Sequence, residues 1–345
     1  MARGLIWALL VAALVSVGGL GPNVARYGIT AAIYVLVGLS LNIVLGYTGQ
    51  LSLGHQGLVG VGALFAAYLS KAHGLPFGVA MVVGGAAGAV LALLIGFVGL
   101  RIRGLYLALV TLVIGITLQG SLFEVPALTG GGAGESANRP AVLLSNGHFY
   151  FVCLAVCLVA LYLDVRLTSS KVGRALAAIK ADERVAAAYG VNVVGYKLLA
   201  FVLSGALAGV AGALFAFASQ QFNGNDFSFG LALTFVLMTV VGGAGSRAGV
   251  VVGSVLFALL HSLLAQLGAF KDFARLFPRS VTPNVLQFGP DLIGAFLLLL
   301  TLALNPGGLA QQLTPLTRWM SGGSVRSASR RGIGTHEMEV LSAGG

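Results

Sequence analysis

Ten apolar segments follow one another along this chain, at roughly 4–20, 27–45, 55–70, 76–100, 104–123, 149–165, 196–219, 228–243, 248–267 and 286–305. A run of about 20 apolar residues spans a bilayer as a helix, because a helix satisfies its own backbone hydrogen bonds where no water can. The pattern therefore predicts an all-α fold: a polytopic transmembrane helical bundle of about eight to ten spans. Only 9% of the residues are charged and 57% are hydrophobic, against about 25% charged in soluble domains. A soluble enzyme is excluded on that balance. The net charge of +10 does not point to nucleic acid, since the basic residues are scattered between apolar runs, where they set orientation.

Residues 4–20 follow Arg3 as a signal peptide would. They end at Gly21-Pro22-Asn23 rather than at a small-residue cleavage site, so the segment is read as a span. With both termini cytoplasmic, fourteen basic residues fall inside (Arg3, Arg101, Arg103, Arg247, six within 166–197 and four in the tail) and six outside (Arg26, Lys71, Arg139, Lys271, Arg275, Arg279). The excess of Lys and Arg inside supports that orientation, against the dissent of the cluster at 271–279. Two domains result. Residues 1–305 form the membrane part with a cytoplasmic loop at 166–195, and 306–345, rich in Gly, Ser and Arg, form a disordered basic cytoplasmic tail.

The loop is the exception within the apolar pattern. Lys171, Arg174, Lys180, Asp182, Glu183 and Arg184 cannot lie in lipid, where each charge costs at least about 2.5 kcal/mol. Gly173 precedes a run of strong helix formers, Asp182-Glu183 offers a second helical start, and Gly190 is placed to stop it. A short docked helix and a plain linker both fit that pattern.

Segments 55–70 and 228–243 are sixteen residues long and cover about 24 Å of a roughly 30 Å core. Each adjoins a glycine-rich break, Gly46 to Gly57 and Gly242 to Gly249. Short, glycine-interrupted helices in two halves point to a repeat around a central site. Asn42, Gly49, Gln50, Ser52, His55 and Gln56 cluster at the first break, and Gly245 lies in the second. Unwound backbone there is available to a solute, although a lone histidine such as His55 more often serves as a structural hydrogen bonder. Thr129-Gly130-Gly131-Gly132 presents backbone N–H groups on the outer side, or is simply a flexible loop. Small residues at Gly84, Gly88, Ala92 and Gly96, and at Gly205, Gly209 and Ala213, suit close helix packing. Cys153 and Cys157 read as apolar filler, with no metal site expected. No nucleotide-binding G-x-x-x-x-G-K-[ST] run and no catalytic grouping occurs, so the chain is expected not to be an enzyme and to hold no cofactor.

Four stretches carry a resemblance. The run Gly173-Arg174-Ala175, Ala178-Ile179, Asp182-Glu183, Ala186-Ala187, Gly190-Val191-Asn192, continuing through Tyr196-Lys197-Leu198 to Gly212, resembles the coupling loop of ABC import permeases for branched-chain amino acids (leucine, isoleucine, valine), larger permease type. Leu41-Asn42 with Leu45 to His55 resembles that family's second fingerprint. Thr129-Gly130-Gly131 is similar to its Thr-Gly-Gly element but lacks the Ser-Asp continuation. Gln221 to Phe227 resembles its external turn, with Gly224 where proline is usual; Asp226 there is a contact for a binding protein or for a substrate ammonium, or a cap on the following helix. The resemblance implies a bacterial inner-membrane permease subunit working with a second permease, two ATP-binding subunits that hold ATP and Mg, and an external substrate-binding protein. It implies that Gly173, Arg174, Asp182, Glu183, Ala186, Ala187 and Gly190 couple to the ATPase. Related permeases for urea or short-chain amides share both fingerprints and remain an alternative. A passive channel would need no coupling loop.

Overall fold

The computed structural model describes residues 21–99, 104–129, 134–266 and 296. The expected span at 4–20, the tail at 306–345, and all of 286–305 except position 296 lie outside the described residues. Eleven helices are assigned within them: α1 (Pro22–Leu41), α2 (His55–His73), α3 (Phe77–Gly99), α4 (Leu105–Ser121), a single turn α5 (Pro126–Thr129), α6 (Asn146–Ser169), α7 (Lys171–Ala181), α8 (Glu183–Ala188), α9 (Val193–Ser219), α10 (Phe229–Gly242) and α11 (Arg247–Gln266). A two-residue strand β1 (Glu135–Ser136) pairs antiparallel with β2 (Gln221–Phe222), an addition to the all-α expectation.

Six helical stretches among the described residues are long and apolar enough to cross a membrane: Val24–Gly46, Phe77–Phe97, Tyr106–Glu124, Asn146–Ser169, Val193–Ser219 and Gly224–Gly242. The segment expected at 55–70 is longer than its apolar run. Helix α2 continues to Lys71 and His73 before Gly74, with φ +62°, ends it, and its 19 residues reach about 28 Å. Helix α10 remains short at 14 residues.

Helix α9 is the axis of the bundle and packs against α3, α2 and α1. Gly84 and Gly88 of α3 meet Gly209 and Gly205 of α9 backbone to backbone, and Gly62 of α2 meets Gly209 from another side. A Cβ at any of these positions would overlap main-chain atoms. The small-residue spacing therefore does what it does in membrane interfaces generally, substituting close van der Waals contact for a hydrophobic driving force that lipid cannot supply. Helices α3, α4 and α6 lie at the periphery, where Val82, Phe97, Tyr106, Val113 and Leu163 remain exposed. Apolar side chains facing outward are the expected surface of a protein solvated by lipid.

The two ends of the bundle differ. At one, Arg139 donates to the Phe217 and Ala218 carbonyls at the end of α9 and to Asn146 Oδ1 at the start of α6, satisfying carbonyls that a helix terminus leaves open. Its guanidinium also stacks 4.2 Å from the Phe149 ring centroid. Lys71 pairs with the buried Glu135 at 3.0 Å. The α7–α8 unit occupies the opposite end.

Candidate functional site

The π-helical turn Asn42–Gly46 continues α1, helix ends at Thr48, and it does not begin again until His55. Between them Gly49 has φ +71°, and the Leu53 N–H donates to Thr111 Oγ1 of α4 at 3.0 Å. The second break runs from Gly243 to Ser246, with Gly243 and Gly245 at φ +102° and +95°.

These two breaks touch. The Gly245 N–H donates to Asn42 Oδ1 at 2.7 Å, across 203 residues of chain. A Cβ on Gly46 would sit 2.6 Å from the Gly245 nitrogen. Only hydrogen at position 46 permits this approach. Asn42 and Gly245, both expected on a solute path, are thus in direct contact.

Ser52, His55, Ser40 and Ser204 form a second group, fully buried. Ser40 Oγ donates to the Ser204 carbonyl at 2.8 Å, and Ser204 Oγ donates to the Ser40 carbonyl at 2.7 Å. Both hydroxyl protons are then used, so His55 Nε2, at 3.0 Å from each oxygen, is the donor. Nδ1 then accepts from Ser52 Oγ at 3.2 Å. One tautomer satisfies the whole cluster. It staples α1, α2 and α9 together, which is the structural role a lone histidine commonly has.

Other polar atoms are left over. Asn42 Nδ2, Gln50 Oε1 and both amide atoms of Gln56 are buried without a hydrogen-bond partner. Such groups cost free energy unless water or a solute joins them. Gln56 packs against Gly115 of α4, where a side chain would collide with its amide. Thr129 lies elsewhere, at the Arg139 end, and its hydroxyl donates to the Phe123 carbonyl at 2.6 Å. Asp226 acts as a cap: its carboxylate accepts from the Asn223 N–H at 2.8 Å.

At the α7–α8 end a carboxylate that sequence reasoning passed over is central. Asp164, in the last turns of α6, is 3% exposed. Tyr47 Oη lies 2.9 Å from each of its oxygens and donates to the carboxylate. Arg247 Nε, at the start of α11, donates to Oδ2 at 2.5 Å, and its Nη2 donates to Thr168 Oγ1. Burial, then the Asp164 charge, pushes the Tyr47 phenol well above its ordinary pKa, so it stays a donor. The signal for Asp164 was an acid inside an apolar run; nothing nearby in sequence indicates its partners.

The loop expected to couple is built from successive caps. Ser170 accepts from the Val172 and Gly173 N–H groups, Asp182 from those of Arg184 and Val185 at 2.7 and 3.1 Å, and Asn192 from that of Gly195. These residue types at helix starts satisfy otherwise open donors. Gly173 is required by the elbow after α6, since a Cβ would stand 2.5 Å from Thr168 Cα. Gly190, at φ +80°, ends α8, and Val191 N–H reaches back to the Ala186 carbonyl at 3.1 Å. Leu176 packs with Ile43 of the π turn and Ala200 of α9. Glu183 pairs with the buried Lys197. Asp182 and Glu183, anticipated as contacts for a partner, therefore have partners within the chain. Arg174, Arg184, Val185, Ala187 and Tyr189 are exposed, whereas Ala186 is buried. Lys180 Nζ donates to the Gly46 carbonyl at 2.6 Å, and an open cleft of about 420 Å³ lies between Thr48–Gly49 and Ile179–Arg184.

A family model described as branched-chain amino acid transport system, permease component, matches residues 23–303. The chain belongs to this permease family. Two curated relatives are the high-affinity branched-chain amino acid transport system permease proteins LivM of Salmonella typhimurium and of Escherichia coli K12. Each is 30% identical over 272 residues, covering 71% of this chain and 63% of the relative's length. The permease thus spans somewhat under two thirds of those relatives. No solved structure matches it. The family, together with the helices described above, makes this a multi-pass membrane protein of the permease family.

Proposed function

We propose that this permease is the membrane-spanning subunit of an ATP-driven importer and translocates branched-chain amino acids delivered by an external binding protein. Family membership across 23–303 carries the reading. By analogy with the family, a second permease subunit completes the pore, two separate ATP-binding subunits hold ATP and Mg, and the whole sits in a bacterial inner membrane with α7–α8 on the cytoplasmic side.

Within that assembly the solute passes the contact between the two breaks. Buried amide atoms without a hydrogen-bond partner, Asn42 Nδ2, Gln50 Oε1 and both of Gln56, favour this route, because a polar solute or its water would satisfy them. Gly49, Ser52, His55 and Gly245 shape it, and Thr129 lies near its outer mouth. Helices α7 and α8 act as the coupling element. Gly173 and Gly190 set their ends, Asp182 and Glu183 brace them from within, and Arg174, Ala187, Val185 and Tyr189 offer exposed surface over the buried Ala186.

Reconstitution tests the proposal. Proteoliposomes carrying the permease pair and ATP-binding subunits should accumulate leucine only with ATP and binding protein present. ATP-independent equilibration of leucine would contradict the importer reading. ATP-dependent uptake of urea or a short-chain amide, with leucine excluded, would replace the substrate and keep the mechanism.

A further inference from the structure

The contact between Lys180 and Gly46 joins three parts of the molecule that are remote in sequence. Lys180 is the last basic residue of α7, and its ammonium reaches the π turn to donate to the Gly46 carbonyl at 2.6 Å. Gly46 is also where the second break comes closest, since a Cβ on it would lie only 2.6 Å from the Gly245 nitrogen. The same ammonium stands 3.4 Å from where a Gly245 side chain would begin. Asn42, four residues before Gly46, holds the Gly245 N–H. One cation on the loop therefore touches one break by hydrogen bond and abuts the other.

The carbonyl it holds is chemically distinctive. Single π turns are rare and recur at functional sites, and a bond from a charged donor is about twice as strong as one from a neutral donor. Leu176 and Ile179 anchor α7 by burial on the same side, so Lys180 cannot follow a displacement of the helix without drawing on Gly46. The turn is itself buried at Asn42, Ile43, Val44 and Gly46, so a pull on Gly46 is passed to the residues packed around it rather than lost to solvent.

We infer that Lys180 is a positioning residue, the link through which displacement of the α7–α8 unit moves the junction of the two breaks. The inference rests on the importer reading above and adds a residue to it. Breaking the link leaves the exposed Arg174, Arg184, Val185, Ala187 and Tyr189 in place, so binding of the ATP-binding subunits persists while its effect on the pore is lost. The conservative arginine keeps a charged donor within reach.

The test uses the complete transporter in proteoliposomes, with binding protein and leucine, and compares Lys180→Met and Lys180→Arg with the unaltered complex. A working unaltered complex establishes the importer reading separately. Lys180→Met should retain the ATP-binding subunits on purification and hydrolyse ATP within about twofold of normal. Its leucine uptake should fall about tenfold or more, the scale of one lost charge-assisted hydrogen bond, so that ATP consumed per leucine rises by the same factor. Lys180→Arg should recover most of the uptake. Unchanged uptake per ATP in Lys180→Met overturns the inference. So does parallel loss of uptake, hydrolysis and subunit recovery, which would make Lys180 a folding or docking residue.

Discussion

At the scale of single residues, the strongest commitment is Asp164. A buried carboxylate is tolerated only when paired and hydrogen-bonded, and here Tyr47 and Arg247 share that task. Arg247→Met leaves Asp164 without its cation and should cost about 3 kcal/mol, the low end for breaking a buried pair because the Arg247 side chain stays 38% exposed. Tyr47→Phe should cost about 1.5 kcal/mol, one hydrogen bond to a charged group. Melting of the purified protein in detergent checks both, and equal stability of Arg247→Met and the parent would mean the pair does not form. These contacts also mark where sequence reading stops. Asp164 stands out as an acid within an apolar run, and Asn42 as an amide at a break. Their partners lie 83 and 203 residues away, and no periodicity encodes such a pairing. Asp182 shows the same limit in reverse: its acid was legible, but its use as a cap depends on the extended backbone at that position.

Elements were far more legible. Hydropathy places a helix at each of the eight apolar segments that fall within the described residues, because membrane burial is written in composition over about 20 positions. The end of α8 at Gly190 was legible for a different reason, since a left-handed stop needs a residue without a Cβ. Helix α2 outran its apolar run because polar Lys71 and His73 extend a helix that hydropathy alone ends early. The strand pair β1–β2 escaped notice, as two residues carry no pattern. Small-residue spacing indicated close packing without naming the surfaces that meet; α3 and α9 meet through it. Gly209→Leu should therefore separate α9 from both α2 and α3, costing about 3 kcal/mol or more by overpacking. The expected result is loss of monodisperse protein on size exclusion and a lower melting temperature. Normal behaviour on both would show that these backbones do not approach as described.

For the whole molecule, the proposed solute route and the proposed mechanical input meet at one junction. The π turn and the Gly243–Ser246 break meet at Asn42, Gly46 and Gly245, with the staple of Ser40, His55 and Ser204 holding α1, α2 and α9 behind them. Helices α7 and α8 lie against that junction through Leu176 and Lys180 and turn a different surface outward. On that surface Tyr189 is 86% exposed, with Val185 and Val194 also uncovered, while an open cleft separates Thr48 and Gly49 from Ile179 to Arg184. This outward surface is proposed to receive the ATP-binding subunits, and a photo-crosslinking amino acid placed at Tyr189 measures that contact directly. In membranes containing the assembled transporter, illumination should join the permease to an ATP-binding subunit, with a yield that changes when ATP is added. Crosslinking to the external binding protein, or no adduct to an ATP-binding subunit in a transporter that still imports leucine, would contradict that claim.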